Sequence, residues 1–205
     1  MKKELKPLEY SYEEAAISQG YSSVCGVDEA GRGPLCGPVV AAACILPVGL
    51  KIPGLNDSKK LSPAARDKLY DEIIDKTVAY SVAESSVEEI DRLNILEASL
   101  LAMRRAIAGL EPAADYLLID GNIFRGFDIP GRSVIGGDAL SPSIAAASIL
   151  AKVTRDRLCV ELDALYPQYG IAKHKGYGTA AHIAALKEFG PSPIHRRKFI
   201  RFLDE

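Results

Sequence analysis

Three apolar stretches of the sequence each end in an acidic residue beside glycine, and this repeated pattern constrains the fold more than any other feature. The stretches are 24–28, 116–120 and 133–138, and they end in Asp28, Asp120 and Asp138. Their β-branched and aliphatic composition predicts three strands. Neighbouring strand ends meet at one edge of a sheet, where like charges repel unless a cation lies between them. The sequence therefore predicts a metal site at a sheet edge.

The first stretch carries a second acid directly after Asp28. Side chains alternate between the two faces of a regular strand, so Asp28 and Glu29 can share one site only if the strand ends or bulges there. A turn rich in glycine, 31–34, follows and is expected to supply that break. Its backbone N–H groups and the guanidinium of Arg32 suit a phosphate held beside a cation.

The remaining sequence indicates strands that alternate with helices. The run 37–46 is apolar throughout, which is typical of a strand covered on both faces, and 78–85 has strand composition. Helix starts are predicted at Ser62-Pro63, at 94–97 and at Ser141-Pro142. This alternation predicts the α/β class.

The last of these helices, 141–165, is apolar nearly all round. Its narrow polar stripe consists of Ser141, Ser148, Lys152 and Arg155. Two interpretations of Lys152 and Arg155 are open. Either they pair with structural acids such as Asp156 or extend their charged ends to water, or they lie near the metal-site acids or the phosphates of a substrate.

Charge is distributed unevenly along the chain. The formal net charge is −2, so binding of a polyanion requires a local basic patch. The segment 171–205 has seven lysines and arginines against three acids, and it holds all three histidines. Tyr177, Phe199 and Phe202 are interleaved with these charges, a pattern that suits a nucleic-acid backbone with stacked bases, although such a run is also common on a solvated surface.

Length and cysteine content set further bounds. We expect one domain over 1–205, with 1–23 as an N-terminal strap and about 166–205 completing a substrate groove, although 205 residues leave room for a second small domain. The four cysteines lack Cys-x-x-Cys spacing and are expected to be buried and reduced. The longest unbroken apolar run, 39–46, cannot span a bilayer, and no signal peptide is evident. A cytoplasmic monomer without a membrane partner is predicted.

Several separate stretches, in this order, resemble the signatures of the type 2 ribonuclease H family, specifically its bacterial ribonuclease HII branch. They are Asp28–Gly33, Asn56–Ser62, Ile119–Gly121, Gly137–Asp138, Ser143–Asp156, His174–Thr179 and His195–Arg196. The resemblance implies a ribonuclease H-like fold, with a mixed central β-sheet flanked by helices and a helical C-terminal portion.

The resemblance also implies an activity. Such an enzyme cleaves the RNA strand of RNA/DNA hybrids and cuts duplex DNA 5′ to a single embedded ribonucleotide, leaving 3′-OH and 5′-phosphate ends. It would use two Mg²⁺ or Mn²⁺ ions. The implied catalytic and metal-binding residues are Asp28, Glu29, Asp120 and Asp138.

Substrate contacts are implied as well. Gly31-Arg32-Gly33 and Tyr177 match positions that recognise a ribonucleotide 2′-OH at a junction with DNA, and Lys59 matches a lysine near the substrate backbone. Gly136 stands where the family commonly has lysine, which leaves that contact in question. The predicted substrate-binding residues are Gly31, Arg32, Gly33, Lys59, Ser148, Lys152, Tyr177 and Arg196.

Three alternatives stay open. A two-metal exonuclease also uses four acids, and a nucleic-acid-binding module could keep the groove without the chemistry. Tyr177 could be a core residue that closes its loop, because tyrosines bury well.

Overall fold

The computed structural model describes residues 7–203, whose centre is a mixed five-stranded sheet. The strands are β1 (Val24–Ala30), β2 (Val39–Ile45), β3 (Ala79–Ser85), β4 (Tyr116–Asp120) and β5 (Gly131–Val134). Their order is β3-β2-β1-β4-β5. β1 pairs antiparallel with β2 and parallel with β4, and β4 pairs parallel with β5. The carboxyl ends of β1 and β4 therefore lie side by side, as the acid pattern predicts.

Helices cover both faces of this sheet and form the C-terminal part. They are α1 (Ser11–Ile17), α2 (Pro63–Lys76), α3 (Val87–Leu93), α4 (Ile95–Ala108), α5 (Pro142–Leu165), α6 (Ile171–His174) and α7 (Ala180–Phe189). The predicted starts of α2, α4 and α5 are confirmed by the side-chain caps of Ser62, Asn94 and Ser141. The seven-residue α3, which begins with its own capping box at Ser86, was not predicted, because so short a helix shows little periodicity.

The two faces of β1 pack on different helices. Cys25 and Val27 lie in a core formed with α4, whereas Gly26 lies under α5. A Cβ atom on Gly26 would be 2.1 Å from the carbonyl carbon of Ser143, so only glycine allows this approach. The backbone of β1 is thereby fixed directly against the N-terminal turn of α5.

Two details of the predicted strand ends are wrong. β1 does not break after Asp28 but runs on through Glu29 to Ala30, because Glu29 continues the pairing with β2. The two adjacent acids consequently lie on opposite faces of the strand. β5 ends at Val134, and Asp138 lies beyond it in a 3₁₀ turn.

The predicted N-terminal strap is described from residue 7 onward, and its first six residues lie outside the described range, as do 204 and 205. Within the strap, Glu13 of α1 is buried against the start of α5. Its Oε1 accepts hydrogen bonds from the Ser141 hydroxyl, at 2.6 Å, and from the backbone N–H of Ser143, at 3.1 Å.

The cysteine prediction is confirmed, since all four thiols are free and buried. Over residues 7–203, no helix is both long enough and apolar enough to cross a membrane.

Candidate active site

Three of the predicted metal-binding acids converge at the shared end of β1 and β4. Carboxylate oxygens of Asp28, Asp120 and Asp138 all lie within 4.8 Å of one another. The backbone N–H of Gly137 donates to Oδ1 of Asp120 at 2.7 Å, which holds the 3₁₀ turn of Asp138 against β4. A Cβ atom on Gly137 would be 2.5 Å from Cδ1 of Ile144, so a larger residue here would require that side chain to move.

Glu29, the fourth acid, lines the same cleft but is not part of this group. Its side chain starts from the face of β1 that packs on α4, as the uninterrupted strand requires. Arg32 lies 3.6 Å from Oε1 of Glu29 and partly balances its charge.

The electrostatics of the acids favour a bound cation. Burial, together with the charges of Glu29 and Asp120, raises the pKa of Asp28 well above its ordinary value. Burial and the neighbouring Asp138 raise the pKa of Asp120. Lys59 is the cation nearest to Asp138, with Nζ 3.1 Å from Oδ2. A group of oxygen ligands without sulfur or imidazole fits Mg²⁺ or Mn²⁺.

The acids open into a cleft of about 220 Å³. Seven of the eight predicted substrate-binding residues line it, namely Gly31, Arg32, Gly33, Lys59, Ser148, Lys152 and Tyr177. Ser58, which sequence reasoning missed, also lines it and receives the hydroxyl hydrogen bond of Ser148 at 2.7 Å. The loop 56–62 is part of the resemblance, so Ser58 could have been found there.

The polar stripe of α5 is only partly explained by the two predicted interpretations. Both hold for Lys152, which pairs with Asp156 at 2.6 Å and also lines the cleft. Only the second holds for Arg155, which also lines the cleft but is buried and, within the described part of the chain, forms no ion pair. Its guanidinium donates to the backbone carbonyls of Cys36, Pro38 and Lys175.

Arg196 does not line the cleft, and its predicted direct contact with substrate has no support in the structure. The side chain is fully buried under the loop that follows β1. It donates to five backbone carbonyls, those of Gly31, Arg32, Pro34, Gly37 and Pro38, at 2.6 to 3.2 Å. With its donors occupied in this way, Arg196 holds the loop from below.

This arrangement sets the direction of the loop's amide groups. In a trans peptide the carbonyl of one residue and the N–H of the next point in opposite directions. Because the carbonyls of Gly31 and Arg32 face Arg196, the N–H groups of Arg32 and Gly33 point away from it, on the side that lines the cleft. Among residues 7–203 neither of these two N–H groups has a hydrogen-bond acceptor.

Tyr177 lines the same cleft as Asp28 and Asp120, and its side chain lies close to the Gly31-Arg32-Gly33 loop. A Cβ atom on Gly33 would be 3.4 Å from Cε1 of Tyr177. The tyrosine is 48% exposed, so it is not the core residue of the alternative interpretation. Its ring offers an apolar face at the cleft, beside the two free amide groups.

Comparisons with known proteins agree with these features. The family model described as Ribonuclease HII matches residues 25–202. The ribonuclease HII of Desulfitobacterium hafniense (strain DSM 10664 / DCB-2) is 57% identical over 180 residues, which cover 88% of this chain and 69% of that protein. The crystal structure of ribonuclease H2 from Pyrococcus horikoshii OT3 matches with a TM-score of 0.72 and 28% identity, over 89% of this chain and 97% of that one.

A more distant solved structure, Bst-RNase HIII in complex with Mn²⁺, matches with a TM-score of 0.63 over 88% of this chain and 74% of that one. At 18% identity it shows a likeness of fold alone.

Proposed function

Because the chain belongs to the ribonuclease HII family, it is a metal-dependent endonuclease that cleaves RNA in RNA/DNA hybrids, and we propose that it also cuts duplex DNA at a single embedded ribonucleotide. The cut is proposed to lie 5′ to the ribonucleotide and to leave 3′-OH and 5′-phosphate ends. The observation that supports this best is a cluster of three carboxylates of which two, Asp28 and Asp120, line the same cleft as the Gly-Arg-Gly loop and Tyr177.

Asp28, Asp120 and Asp138, together with Glu29, are proposed to hold two Mg²⁺ or Mn²⁺ ions. Their oxygen-only donor set and the raised pKa of Asp28 and Asp120 support this, because a cation offsets the burial and the mutual repulsion that raise those pKa values. When bound, such ions supply activation of water and charge stabilisation at the cleaved phosphodiester. Lys59 is then freed from Asp138 and can reach a substrate phosphate with its largely exposed ammonium group.

Recognition of the ribonucleotide is proposed to rest on the other wall of the cleft. The N–H groups of Arg32 and Gly33 can donate to the 2′-OH or to the adjacent phosphate, and the ring of Tyr177 can pack against the next sugar. A site built to hydrogen-bond a hydroxyl strongly rejects an analogue that lacks it, since its polar groups are then left unpaired. Plain DNA would therefore bind without being cut.

The test compares three duplexes: an RNA/DNA hybrid, DNA with one ribonucleotide, and plain DNA. Each is incubated with Mg²⁺, with Mn²⁺ or with a chelator, and the product ends are analysed. We expect cleavage of the first two in both metals and of none in the chelator. An uncut single-ribonucleotide duplex would overturn the proposal.

The same assay separates the alternatives. Shortening of plain DNA from its ends would identify a two-metal exonuclease. Binding of all three duplexes without any product would identify a module that binds nucleic acid and lacks the chemistry.

A further inference from the structure

The three histidines of the chain form one cluster behind the loop that carries Tyr177, in which His182 and His195 are buried and His174 is partly buried. The rings of His174 and His182 stack with their centroids 4.4 Å apart. Nε2 of His182 lies 3.1 Å from Nε2 of His195, and both side chains are almost completely buried. No step of the proposed reaction uses this cluster.

The hydrogen bonds of the cluster determine which ring nitrogens carry protons. Nδ1 of His182 is 3.0 Å from the carbonyl oxygen of Tyr177, and because a carbonyl only accepts, this nitrogen must carry a proton. The backbone N–H of Ser192 donates to Nδ1 of His195 at 3.1 Å, so that nitrogen must be bare. In the neutral ring the proton of His195 is then on Nε2, from which it donates to Nε2 of His182.

The result is a directed chain of hydrogen bonds that runs from Ser192 through His195 and His182 to the carbonyl of Tyr177. Both imidazoles must be neutral for the chain to exist. Burial lowers the pKa of His182 and lowers that of His195 to about 4, so the neutral forms prevail at pH 7.

The backbone N–H of Tyr177 donates to the carbonyl of His174 at 3.0 Å, and the carbonyl of Tyr177 lies at the end of this chain of hydrogen bonds. Tyr177 stands between two glycines, and Gly176 has a φ of +81°. The carbonyl of Tyr177 accepts from His182 and from the N–H of Thr179, at 2.8 Å, and the Thr179 bond spans only two residues. The bond from His182 is thus the one that ties this carbonyl to α7.

We infer that His182 and His195 are positioning residues for Tyr177, acting through hydrogen bonds of fixed direction to hold its ring beside Gly33. This rests on the proposed function, because Tyr177 must contact substrate for its position to matter. His195 also joins the cluster to the loop after β1, since it forms an isolated β-bridge with Cys36. The loop after β1 and the loop that carries Tyr177, which together form the proposed recognition wall of the cleft, are thereby held in a fixed position relative to each other.

A metal ion is the competing explanation of the cluster. Donor atoms of Cys36, His182 and His195 lie within 4.8 Å of one another, as in a site for a soft metal. Burial, however, raises the pKa of the Cys36 thiol to about 12 even though Arg155 and Arg196 lie close enough to lower it, and two buried guanidinium groups oppose a cation. The hydrogen bonds described above already account for the nitrogens of both rings.

The first experiment measures the protonation of the rings directly. Long-range ¹H–¹⁵N NMR spectra of the whole protein at pH 7.5 separate the two neutral tautomers of histidine and metal-bound imidazole, and three histidines can be assigned by single substitutions. We expect His182 with its proton on Nδ1 and His195 with its proton on Nε2. Averaged tautomers, or a spectrum that changes on adding one equivalent of Zn²⁺, would overturn the inference whether or not the protein cleaves RNA.

The second experiment uses two isosteric substitutions of His182. Asparagine retains a donor near the position of Nδ1, whereas glutamine retains polar atoms only near Nε2. The readout is the ratio of kcat/KM on the single-ribonucleotide duplex to kcat/KM on the RNA/DNA hybrid, in which common effects on the metal site cancel. We expect His182→Gln to lower this ratio about tenfold, the loss of one hydrogen bond, and His182→Asn to keep it within about twofold.

Glutamine is the better helix former. A higher kcat/KM ratio for His182→Asn than for His182→Gln therefore cannot arise from the stability of α7. Leu186→Ala is the matched control, because it removes a buried side chain from the same helix without touching the chain of hydrogen bonds. It should lower Tm and leave the ratio unchanged.

A double-mutant cycle completes the test. In the Tyr177→Ala background, His182→Gln should lower the ratio no further, because the residue that it positions is gone. Equal ratios for His182→Asn and His182→Gln, or additive effects in the cycle, would show that the histidines only stabilise the fold. A failure of the proposed function would instead show as loss of cleavage by the unmodified protein.

Discussion

At the scale of single residues, the four acids of the cleft differ in how their charges are balanced. Asp138 has Lys59 beside it and Glu29 has Arg32, at 3.1 and 3.6 Å. Asp28 is buried and receives only the N–H of Glu29, at 2.7 Å, in the described part of the chain. Without a metal, Asp28 is therefore the acid whose charge the protein stabilises least.

Asp28→Asn should abolish cleavage and stabilise the protein in the presence of a chelator. A carboxyl whose pKa is raised by folding destabilises the folded state at any pH above its ordinary pKa, and pH 7 lies above that value, so Asp28 opposes folding at pH 7. Removing its charge should add roughly 1 kcal/mol, a Tm increase of about 2–4 °C. Mn²⁺ should raise Tm of the unmodified protein and have a smaller effect on the variant. A lower Tm in chelator, or near-normal cleavage, would contradict this reasoning.

Tyr177 permits a test that separates ring from hydroxyl. Its half-exposed side chain contributes little to a core, so Tyr177→Ala should reduce cleavage at a single ribonucleotide about tenfold or more while Tm changes by only about 2 °C. Tyr177→Phe retains the packing surface and reports the hydroxyl alone. Wild-type cleavage by Tyr177→Ala would place ribonucleotide recognition elsewhere in the cleft.

At the scale of elements, the loop between β1 and β2 is held by side chains from distant parts of the sequence. Arg155 of α5 and Arg196 near the C-terminus bond the loop carbonyls from beneath. Gly31 lies directly against Arg155, and a Cβ atom there would be 2.0 Å from Nε. The conformation of the loop between β1 and β2 thus depends on contacts with α5 and with the C-terminal part of the chain.

Gly31→Ala and Gly20→Ala form a matched pair for measuring this contact. The two glycines have φ values of +100° and +99°, so alanine is strained by about the same amount at each. A Cβ atom on Gly20 would have no heavy atom within 4 Å, whereas at Gly31 it collides with Arg155. Gly31→Ala should destabilise the protein by about 2 kcal/mol more than Gly20→Ala and should alone impair cleavage. Equal unfolding free energies, measured with denaturant, would show that Arg155 moves aside freely.

The sequence predicted elements well where local chemistry determines them. The caps at Ser62 and Ser141 and the apolar runs of β1, β2 and β4 are local signals, and they located five of the main elements. The continuation of β1 past Asp28 could not be predicted, since the pairing partner Ala41 outweighs the nearby glycines. The roles of Arg155 and Arg196 depend on carbonyls more than a hundred residues away in sequence, which no local pattern records.

At the scale of the whole molecule, the predicted basic segment divides into two parts. Lys173 and Lys175 line a groove with Lys152, and Lys152 also lines the cleft of the acids. Arg197 and Lys198 lie on the far side of the buried Arg196, where their backbone N–H groups bond Asp91. We propose that the groove next to the cleft receives the substrate backbone.

Two double variants test this division with equal changes of charge. Lys173→Gln with Lys175→Asn should make the slope of log affinity against log salt shallower by about two, one for each lost phosphate contact. Asparagine is chosen at Lys175 because it tolerates the positive φ of 53°. Arg197→Gln with Lys198→Gln should leave the slope unchanged. Equal changes in both variants would mean that the charge acts only as a diffuse field.

Because the carbonyls of the loop after β1 face into the protein, the proposed recognition wall contacts the cleft largely through uncharged groups. The charges of Arg155 and Arg196 lie inside the protein, so that, apart from the side chain of Arg32, the loop and Tyr177 offer backbone amide groups and an aromatic ring to the cleft. Ionic strength screens contacts between charged groups, but it has little effect on hydrogen bonds between neutral ones. Rising salt should therefore weaken the hold of this protein on every duplex, while its preference for a strand containing ribose over plain DNA stays constant.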